Sequence, residues 1–297
     1  MIRGAAGGDG SGEGARRDEP APGTKAPGGQ ASRLKGKTIV VTGATRGIGA
    51  AAARLFAAEG AEVIGTGRSA ERGAALERNG PGGRITFRRV DLSSREQIRS
   101  FFEWFDGRFS KVDVLVNNAR SDVRGGILET KLADWEDELM VNLTAAFMFS
   151  KWAAQNMARN RTRGKIINIS AVQAELPLEG GFSYAVTKGG LVSMARTMAV
   201  DLGELGIQVT AVLPGPIYTL VERDDTEEAP PSLDARAATL LGRFGRKSEV
   251  ARLLAFLASD ENSFMTGNTV VIDGGRIISR KPDPVEVVTD GTSPPVG

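Results

Sequence analysis

The amino-acid sequence predicts one α/β domain in which helices cover both faces of a doubly wound parallel β-sheet. Short segments rich in β-branched residues alternate along the chain with longer segments whose apolar residues recur at helical spacing. The strand-like segments are apolar almost throughout, as parallel strands are when helices bury both of their faces. The composition agrees, because 41% hydrophobic and 25% charged residues are typical of a globular domain with a core.

Seven segments have the length and composition of a strand. In chain order they are 37–42, 61–66, 84–90, 112–116, 165–169, 208–212 and 268–272. Helical patterns occupy the intervals between them, most clearly at 50–60, 94–109 and 134–160. Strand–helix–strand units of this kind cross over with a right hand, which restricts the chain to a doubly wound sheet.

The two ends of the chain differ in composition from its middle. Residues 1–33 are rich in Gly, Ala and Pro and have almost no large apolar side chains, so we expect them to be disordered. Residues 280–297 are similar, and we expect a flexible tail or a segment that lies over a neighbouring subunit. Between them, residues 34–279 form the predicted domain. Its segment 217–245 is polar and interrupted by two prolines, as expected of a mobile substrate loop.

The residue types that are absent exclude several kinds of chemistry. The chain has no Cys and no His, which excludes disulfides, thiol nucleophiles, Ser-His-Asp triads and ordinary zinc sites, so we expect no metal. Acid–base chemistry must use Asp, Glu, Lys or one of the two tyrosines, Tyr184 and Tyr218. The net charge of +2, without a dense basic run, argues against nucleic acid, and no apolar stretch is long enough for a membrane span. We therefore expect a cytoplasmic protein.

A glycine-rich turn follows the first predicted strand and leads directly into a helix. It reads Thr-Gly-Ala-Thr-Arg-Gly-Ile-Gly over residues 42–49. Glycines let the backbone turn tightly and bring its N–H groups against a pyrophosphate, and the start of the helix adds a partial positive charge. This context predicts a dinucleotide site. The expected contacts are Gly43, Thr45, Arg46, Gly47, Ile48 and Gly49.

The end of the second predicted strand bears on the choice between NAD(H) and NADP(H). An NAD-selective site usually has an acidic side chain there, which binds the ribose 2′-hydroxyl. This chain reads Gly-Thr-Gly-Arg-Ser over residues 65–69, so it has no acidic residue there. Arg68 and Ser69 are the residues expected to lie near the ribose. Arg46 of the glycine loop adds a second guanidinium group. Two such groups suit a 2′-phosphate, and we therefore expect NADP(H).

Four further segments complete a pattern. Asn-Asn-Ala occupies 117–119, Tyr-Ala-Val-Thr-Lys 184–188, Pro-Gly-Pro-Ile 214–217 and Asp-Gly-Gly 273–275. In this order and after the glycine loop, they resemble the classical short-chain dehydrogenase/reductase family, in particular its ketoacyl-reductase-like members. The resemblance spans about residues 35–278. It implies a single-domain Rossmann fold with seven parallel strands in the order 3-2-1-4-5-6-7.

The resemblance also implies a catalytic set. Tyr184 would donate a proton to a carbonyl oxygen, Lys188 would tune the tyrosine and hold the nicotinamide ribose, and Asn142 would link Lys188 to solvent through water. The first two roles agree with physical chemistry, because a phenol with a pKa of about 10 needs a nearby cation and residues four apart share one face of a helix. The remaining implied cofactor contacts are Asp91, Leu92, Asn118, Ala119, Arg120, Pro214, Gly215, Ile217 and Thr219.

Two positions depart from the family pattern. The family's catalytic serine lies thirteen residues before the tyrosine, and here that position is Ala171. Ser170 is the first candidate for the missing donor, although it comes one residue early and an extended chain points its side chain to the opposite face. Arg120 replaces a glycine, and it either crowds the cofactor, holds an acidic substrate or turns to solvent.

The sequence leaves three functions open. An NADPH-dependent carbonyl reductase is favoured because Tyr184, Lys188 and Asn142 are all present. Ala171 also fits a non-redox enzyme on the same scaffold, such as a dehydratase, epimerase or cyclase, and it fits a cofactor-bound subunit without catalysis.

The expected partners are a small-molecule carbonyl substrate and further copies of the chain. Gln173, Phe182 and Tyr218 are candidates for the substrate pocket by position. The resemblance implies a homo-oligomer, a dimer or a tetramer, that associates through the long helices near 134–160 and 183–203.

Overall fold

The computed structural model describes residues 32–219 and 239–280. Outside these described residues lie 1–31 of the predicted disordered segment 1–33, 281–297 of the predicted tail 280–297 and 220–238 of the predicted substrate loop 217–245. No helix in the described ranges is both long enough and apolar enough to cross a lipid bilayer.

The main sheet has seven parallel strands in the spatial order β3-β2-β1-β4-β5-β6-β9. Its strands are β1 Thr38–Val41, β2 Glu62–Gly67, β3 Ile85–Arg89, β4 Val114–Asn117, β5 Lys165–Ile169, β6 Gln208–Pro214 and β9 Asn268–Ile272. Two short strands, β7 Ile217–Tyr218 and β8 Gly245–Arg246, pair with each other outside it. The predicted doubly wound sheet is thus confirmed, and so is its strand order 3-2-1-4-5-6-7. The last strand is labelled β9 because β7 and β8 precede it in the chain and lie outside the main sheet.

Seven α-helices are described. They are α1 Gly47–Ala58, α2 Ala70–Arg78, α3 Arg95–Asp106, α4 Leu132–Leu139, α5 Ala145–Arg159, α6 Phe182–Leu202 and α7 Lys247–Ala258, and short 3₁₀ turns lie at Pro81–Gly83, Val172–Ala174 and Gly203–Leu205. The helix predicted over 134–160 is confirmed as one continuous helical segment, and a π-helical turn at Met140–Thr144, which was not predicted, lies inside it between α4 and α5.

Alternate residues of each strand point to opposite faces of the sheet and pack into two apolar layers, one on each face. Val41 faces a layer that includes Phe56 of α1 and Leu254 of α7. Val40 faces the opposite layer, which includes Phe101 of α3 and Phe149 of α5. All seven strands are parallel, so their carboxyl ends meet at one edge, where ligands bind in sheets of this kind.

Candidate active site

A cleft of about 650 Å³ runs along the carboxyl ends of the strands. Most of the predicted cofactor residues line it. They are Gly43, Thr45, Arg46, Gly47, Ile48, Arg68, Ser69, Asp91, Leu92, Asn118, Ala119, Arg120, Tyr184, Lys188, Pro214, Gly215, Ile217 and Thr219. Ser170, Ala171 and Gln173 line the same cleft. The segments that sequence reasoning selected separately therefore converge on one cavity.

The glycine loop packs directly against the segment that follows β4. Gly43 has a φ of +68°, and a Cβ there would lie 2.7 Å from the Cα of Ala119. A Cβ on Gly49 would lie 2.4 Å from Nδ2 of Asn118, which places Gly49 behind the cleft wall. Asn118 holds the loop, because its Nδ2 donates to the carbonyl oxygens of Thr42 and Gly43 at 2.9 and 3.1 Å. Glycine is therefore required at both positions by close backbone approach.

The start of α1 presents backbone N–H donors to the cleft. Arg46 is the N-cap residue of α1, but its side chain makes no capping hydrogen bond. In the described ranges no hydrogen bond uses the backbone N–H of Gly47 or Ile48. Thr66, at the end of β2, lines the same cleft, while its hydroxyl is buried and has no hydrogen-bond partner among the described residues. N–H groups at a helix start suit a phosphate. These residues fit a dinucleotide.

The end of the cleft nearest β2 is basic. Arg46, Arg68 and Arg72 line it, and all three side chains are exposed. Sequence reasoning found the first two and missed Arg72. That residue lies in the first turn of α2, whose start Ser69 caps by accepting a hydrogen bond from the Arg72 N–H at 3.3 Å. The Ser69 cap is visible in the sequence, and it could have placed Arg72 one turn beyond the end of β2.

Tyr184 and Lys188 lie one helical turn apart on α6, as their spacing predicts. The ammonium of Lys188 is 5.4 Å from the centre of the Tyr184 ring, and it donates to the carbonyl oxygen of Ile169 at 2.9 Å. Burial raises the pKa of Tyr184 to about 12. Burial also lowers the pKa of Lys188 to about 7, and the charge of Arg120 adds to that effect. Desolvation thus outweighs the charge of Arg120, which lowers the pKa of Tyr184. The predicted tuning of Tyr184 by Lys188 stays a prediction.

Asn142 lies in the π-helical turn, behind the cleft, where it is 1% exposed. Its Oδ1 accepts from the Ser121 N–H at 2.7 Å, and its Nδ2 lies 3.1 Å from the hydroxyl of Thr187 and 3.2 Å from Oε1 of Glu138. These contacts fix the side chain against α6, close to the turn that carries Lys188. The predicted water link to Lys188 stays a prediction.

Glu138 is a buried carboxyl group that sequence reasoning missed. Its side chain is 0% exposed, and its Oε2 accepts from the Ser183 hydroxyl at 2.6 Å. Burial raises the pKa of Glu138, and the hydrogen bond from Ser183 opposes this shift. The Glu138 carboxylate therefore accepts hydrogen bonds from both Ser183, the residue before Tyr184, and Asn142. It places a titratable group beneath the cleft.

The expectation that Ser170 replaces the missing serine is corrected by the geometry. The Ser170 hydroxyl donates to the carbonyl oxygen of Lys188 at 2.7 Å, and the side chain is 3% exposed. Its proton is therefore committed to the backbone of α6. Ala171, which is next in the chain, lines the cleft with a methyl group that cannot donate.

Two of the three predicted substrate residues do not line the described cleft. Phe182 stacks on Trp135 with ring centres 5.7 Å apart, so it packs α6 against α4. Tyr218 belongs to β7 and pairs with Arg246 of β8. Gln173 does line the cleft, as expected of a residue in the turn after β5.

Arg120 extends along the cleft wall near Tyr184. Its guanidinium carbon is 5.8 Å from the centre of the Tyr184 ring, and its Nη1 donates to Oδ2 of Asp122 at 3.0 Å. Arg124 approaches the other oxygen of Asp122 at 4.0 Å. Asp122 and Arg124 also line the cleft and were not found from the sequence. Two guanidinium groups share one carboxylate here, which leaves this wall with a net positive charge.

Comparison with known proteins identifies the family. The family model described as enoyl-(acyl carrier protein) reductase matches residues 43–276. The 3-oxoacyl-[acyl-carrier-protein] reductase FabG of Thermotoga maritima is 37% identical over 83% of this chain and 100% of its own length. The chain belongs to the short-chain dehydrogenase/reductase family. It is an oxidoreductase of this family, and membership implies a nicotinamide cofactor.

Other members of the short-chain dehydrogenase/reductase family match over the same span. The 3beta-hydroxysteroid dehydrogenase 1 of Eggerthella lenta is 36% identical over 82% of this chain and 94% of its own length. Glucose 1-dehydrogenase 2 of Bacillus subtilis is 34% identical over 82% of this chain and 95% of its own. A solved short-chain dehydrogenase/reductase from Serratia marcescens superposes with a TM-score of 0.75 at 34% identity, covering 82% of this chain and 99% of that one.

Proposed function

We propose that this enzyme is an NADPH-dependent reductase that converts a ketone or a related carbonyl into an alcohol, with Tyr184 as the proton donor. The observation that carries the proposal is that Tyr184 and Lys188 line the same cleft as the glycine loop. A nicotinamide bound there supplies a hydride. The names of the relatives agree with this reaction class, since they include a 3-oxoacyl reductase, a hydroxysteroid dehydrogenase and a glucose dehydrogenase.

The protonation state of Tyr184 supports the direction of the proposed reaction. A phenol with a pKa of about 12 keeps its proton at neutral pH and can give it to the oxygen of a carbonyl that is being reduced. Lys188 is held against the carbonyl oxygen of Ile169, so its position relative to Tyr184 is fixed before a ligand arrives. The proton-donating group is thus preorganised on a rigid helix.

The choice of NADPH over NADH rests on the basic end of the cleft. Arg46, Arg68 and Arg72 surround the position where the end of β2 would meet an adenosine ribose. Three guanidinium groups favour a ribose 2′-phosphate through charge-assisted hydrogen bonds. Asp91, which follows β3, is the acidic residue that lines this end in the described part of the chain.

The reaction is tested by following NADPH oxidation with 3-oxoacyl thioesters, steroid ketones and small diketones. We expect Tyr184→Phe to lower kcat by about a hundredfold or more, because the proton donor is lost, while NADPH binding changes little. Phe182→Leu, on the same helix but outside the cleft, is the control. An unchanged kcat in Tyr184→Phe, or product formation without net loss of NADPH, would overturn the proposal.

The cofactor preference is tested by replacing Arg68 with Met. Losing one charge-assisted hydrogen bond is expected to raise the Kd of NADPH about tenfold and to leave the Kd of NADH nearly unchanged. Fluorescence titration with each cofactor measures both constants. Arg78→Met, which removes the same charge from α2 outside the cleft, is the matched control. Equal weakening of both cofactors would show that Arg68 does not contact the 2′-phosphate.

We also propose that the enzyme works as a homo-oligomer, a dimer or a tetramer, in the cytoplasm. Support comes from exposed apolar side chains on the helices that the family resemblance assigns to the interface. Phe147 of α5 is 51% exposed, and Val200 of α6 is 81% exposed. Light scattering on the purified protein gives the mass, and a monomer would contradict the proposal.

A further inference from the structure

A carbonyl oxygen that becomes an alkoxide is stabilised best when two donors point at it. Tyr184 provides one donor in the proposed reaction. On the strand beside it, the nearest candidates cannot provide the second, because Ala171 has no polar side-chain atom and the Ser170 hydroxyl donates to the backbone of Lys188 at 2.7 Å. The second donor must therefore come from the turn after these residues, where Gln173 lines the cleft, or from another wall of the cleft.

Arg120 occupies the facing wall. It comes three residues after β4, the strand that pairs with β5, so it lies at the same sheet edge as Ala171. Its guanidinium carbon is 5.8 Å from the centre of the Tyr184 ring. Its side chain is 47% exposed, which leaves it able to move toward a ligand in the cleft. The described hydrogen bond to Asp122 uses Nη1, and a guanidinium group has four further N–H donors.

The charge of Arg120 already acts on the reacting groups. Among charged residues, it has the largest effect on Tyr184 and on Lys188, and it lowers the pKa of both. A positive charge that favours a phenolate also favours negative charge on an alkoxide at the same place. Asp122 holds the guanidinium group in position but shares its own charge with Arg124. The wall therefore stays positive where negative charge develops.

We propose that Arg120 donates the second hydrogen bond to the carbonyl oxygen of the substrate, in place of the hydroxyl that position 171 lacks. The proposal rests on the proposed function. During reduction the carbonyl carbon accepts a hydride, the π pair moves to oxygen and Tyr184 transfers its proton there. Arg120 keeps its own protons and stabilises the oxygen until the proton arrives.

The test compares Arg120→Met, Ala171→Ser and the double variant of the full chain with saturating NADPH. Arg120→Met is expected to lower kcat by about a hundredfold, while the Kd of NADPH changes less than about threefold. In the double variant, the introduced hydroxyl is expected to raise kcat at least about tenfold above that of Arg120→Met. Ala171→Ser alone is expected to raise kcat much less, because the site then already has Arg120 as a donor. Arg124→Met makes the same charge change at a side chain whose charge affects Tyr184 less, and it is expected to lower kcat much less.

A second readout does not depend on turnover. Infrared spectra of a ¹³C=O-labelled 3-oxoacyl thioester, bound with NADP⁺, report how strongly the carbonyl is polarised. The stretch is expected at lower frequency in the wild type than in Arg120→Met. If the wild type binds the thioester and polarises it through Arg120 but reduces no ketone, the proposed function fails and the role of Arg120 stands. An unchanged stretch in Arg120→Met overturns the role of Arg120, whether or not the enzyme turns over.

Two other results would also overturn the role of Arg120. If Gln173→Leu removes the carbonyl shift and Arg120→Met keeps it, Gln173 is the donor. If Arg120→Met raises KM for acidic ketones and leaves kcat for neutral ketones unchanged, Arg120 binds a substrate carboxylate and does not assist the reacting oxygen.

Discussion

Burial moves the acid–base properties of Tyr184 and Lys188 in opposite directions, because it disfavours the charged form of each. It raises the pKa of Tyr184 to about 12, and the charge of Arg120 only partly opposes that shift. It lowers the pKa of Lys188 to about 7. At neutral pH the phenol is therefore a proton donor and a very weak base, so the two directions of the proposed reaction should depend on pH in different ways.

Alcohol oxidation with NADP⁺ requires Tyr184 as the phenolate, whereas ketone reduction requires the phenol. We expect the oxidation rate to rise with pH up to about pH 10 without levelling off, because the phenolate fraction grows about tenfold per pH unit below the pKa of Tyr184, which is about 12. Reduction should stay nearly level over the neutral range. Initial rates in both directions, measured under saturating conditions, give the two profiles.

Arg120 provides the internal control for this prediction. Its charge lowers the pKa of Tyr184, so Arg120→Met should move the oxidation profile to higher pH. If oxidation instead reaches a plateau near neutral pH, the phenol is ionised far more easily than burial alone allows, and the assignment of Tyr184 as a donor with a raised pKa is wrong.

Single residues differ in how far the sequence reveals them. Ala171 and Arg120 were visible because each stands at a fixed distance from a recognisable segment. Glu138 was not, because it is one of four acidic residues in the stretch 134–138 and a sequence does not show which of them turns inward. The hydroxyl of Ser183 and the amide of Asn142 make burial of that carboxyl group tolerable, and both come from other elements.

At the scale of elements, the seven strands and the helix over 134–160 were predicted to within a few residues, but the π-helical turn inside that helix was not. The apolar pattern of 134–160 continues through the π-helical turn, so nothing in the period marks the extra residue. That turn holds Asn142, which contacts Ser121 after β4 and Thr187 of α6. The irregularity is therefore coupled to the site through contacts that only the folded chain brings together.

Helix α7 packs beside α1, the helix that starts at the glycine loop, and its own start depends on Glu249. The carboxylate of Glu249 accepts from Nη1 and Nη2 of Arg243 at 2.9 and 2.7 Å, and from the Arg246 N–H at 2.8 Å. The hydrogen bonds from Arg243 are the main cause that lowers the pKa of Glu249 to about 2. Folding thus favours the ionised form of the Glu249 carboxyl group over the protonated form.

Glu249→Gln is expected to reduce the free energy of unfolding by about 1 kcal/mol at neutral pH, because a capping bond and a partly exposed ion pair are both weakened. This stabilisation is present above the ordinary pKa of 4.5 and is lost as the pH falls toward about 2. The difference between the two proteins in urea unfolding should therefore shrink as the medium is acidified.

Glu96→Gln is the matched control, since it removes the same charge from the first turn of α3. A loss in Glu96→Gln equal to that in Glu249→Gln would show that the charge near a helix start matters and the contacts with Arg243 do not.

At the scale of the whole molecule, the topology was predictable because alternation of strands and helices leaves few ways to wind a parallel sheet. The position of the cleft followed from the same argument, since all strand ends meet at one edge. The balance of charges inside the fold did not follow from it. Lys165, at the start of β5, reads as a surface residue in the sequence but is 5% exposed, and its ammonium donates to Gln208 and Asn262.

Lys165 and Lys188, two of the buried lysines, predict how the stability of the cofactor-free protein depends on pH. Desolvation lowers the pKa of Lys165 to about 8 and that of Lys188 to about 7, from an ordinary value of 10.5. Between these values and 10.5 the unfolded chain binds protons that the folded chain does not, so stability rises with pH by up to about 1.4 kcal/mol per pH unit for each lysine. Urea unfolding at about pH 6.5 and about pH 9.5 should show this rise.

Lys188→Met should remove the part of the rise that comes from Lys188. Lys151→Met, at an exposed position on α5, should leave the rise unchanged. Equal slopes in the wild type and in Lys188→Met would show that Lys188 stays charged inside the fold, so that Glu138 and Asp122, which favour its charged form, outweigh burial and the charge of Arg120.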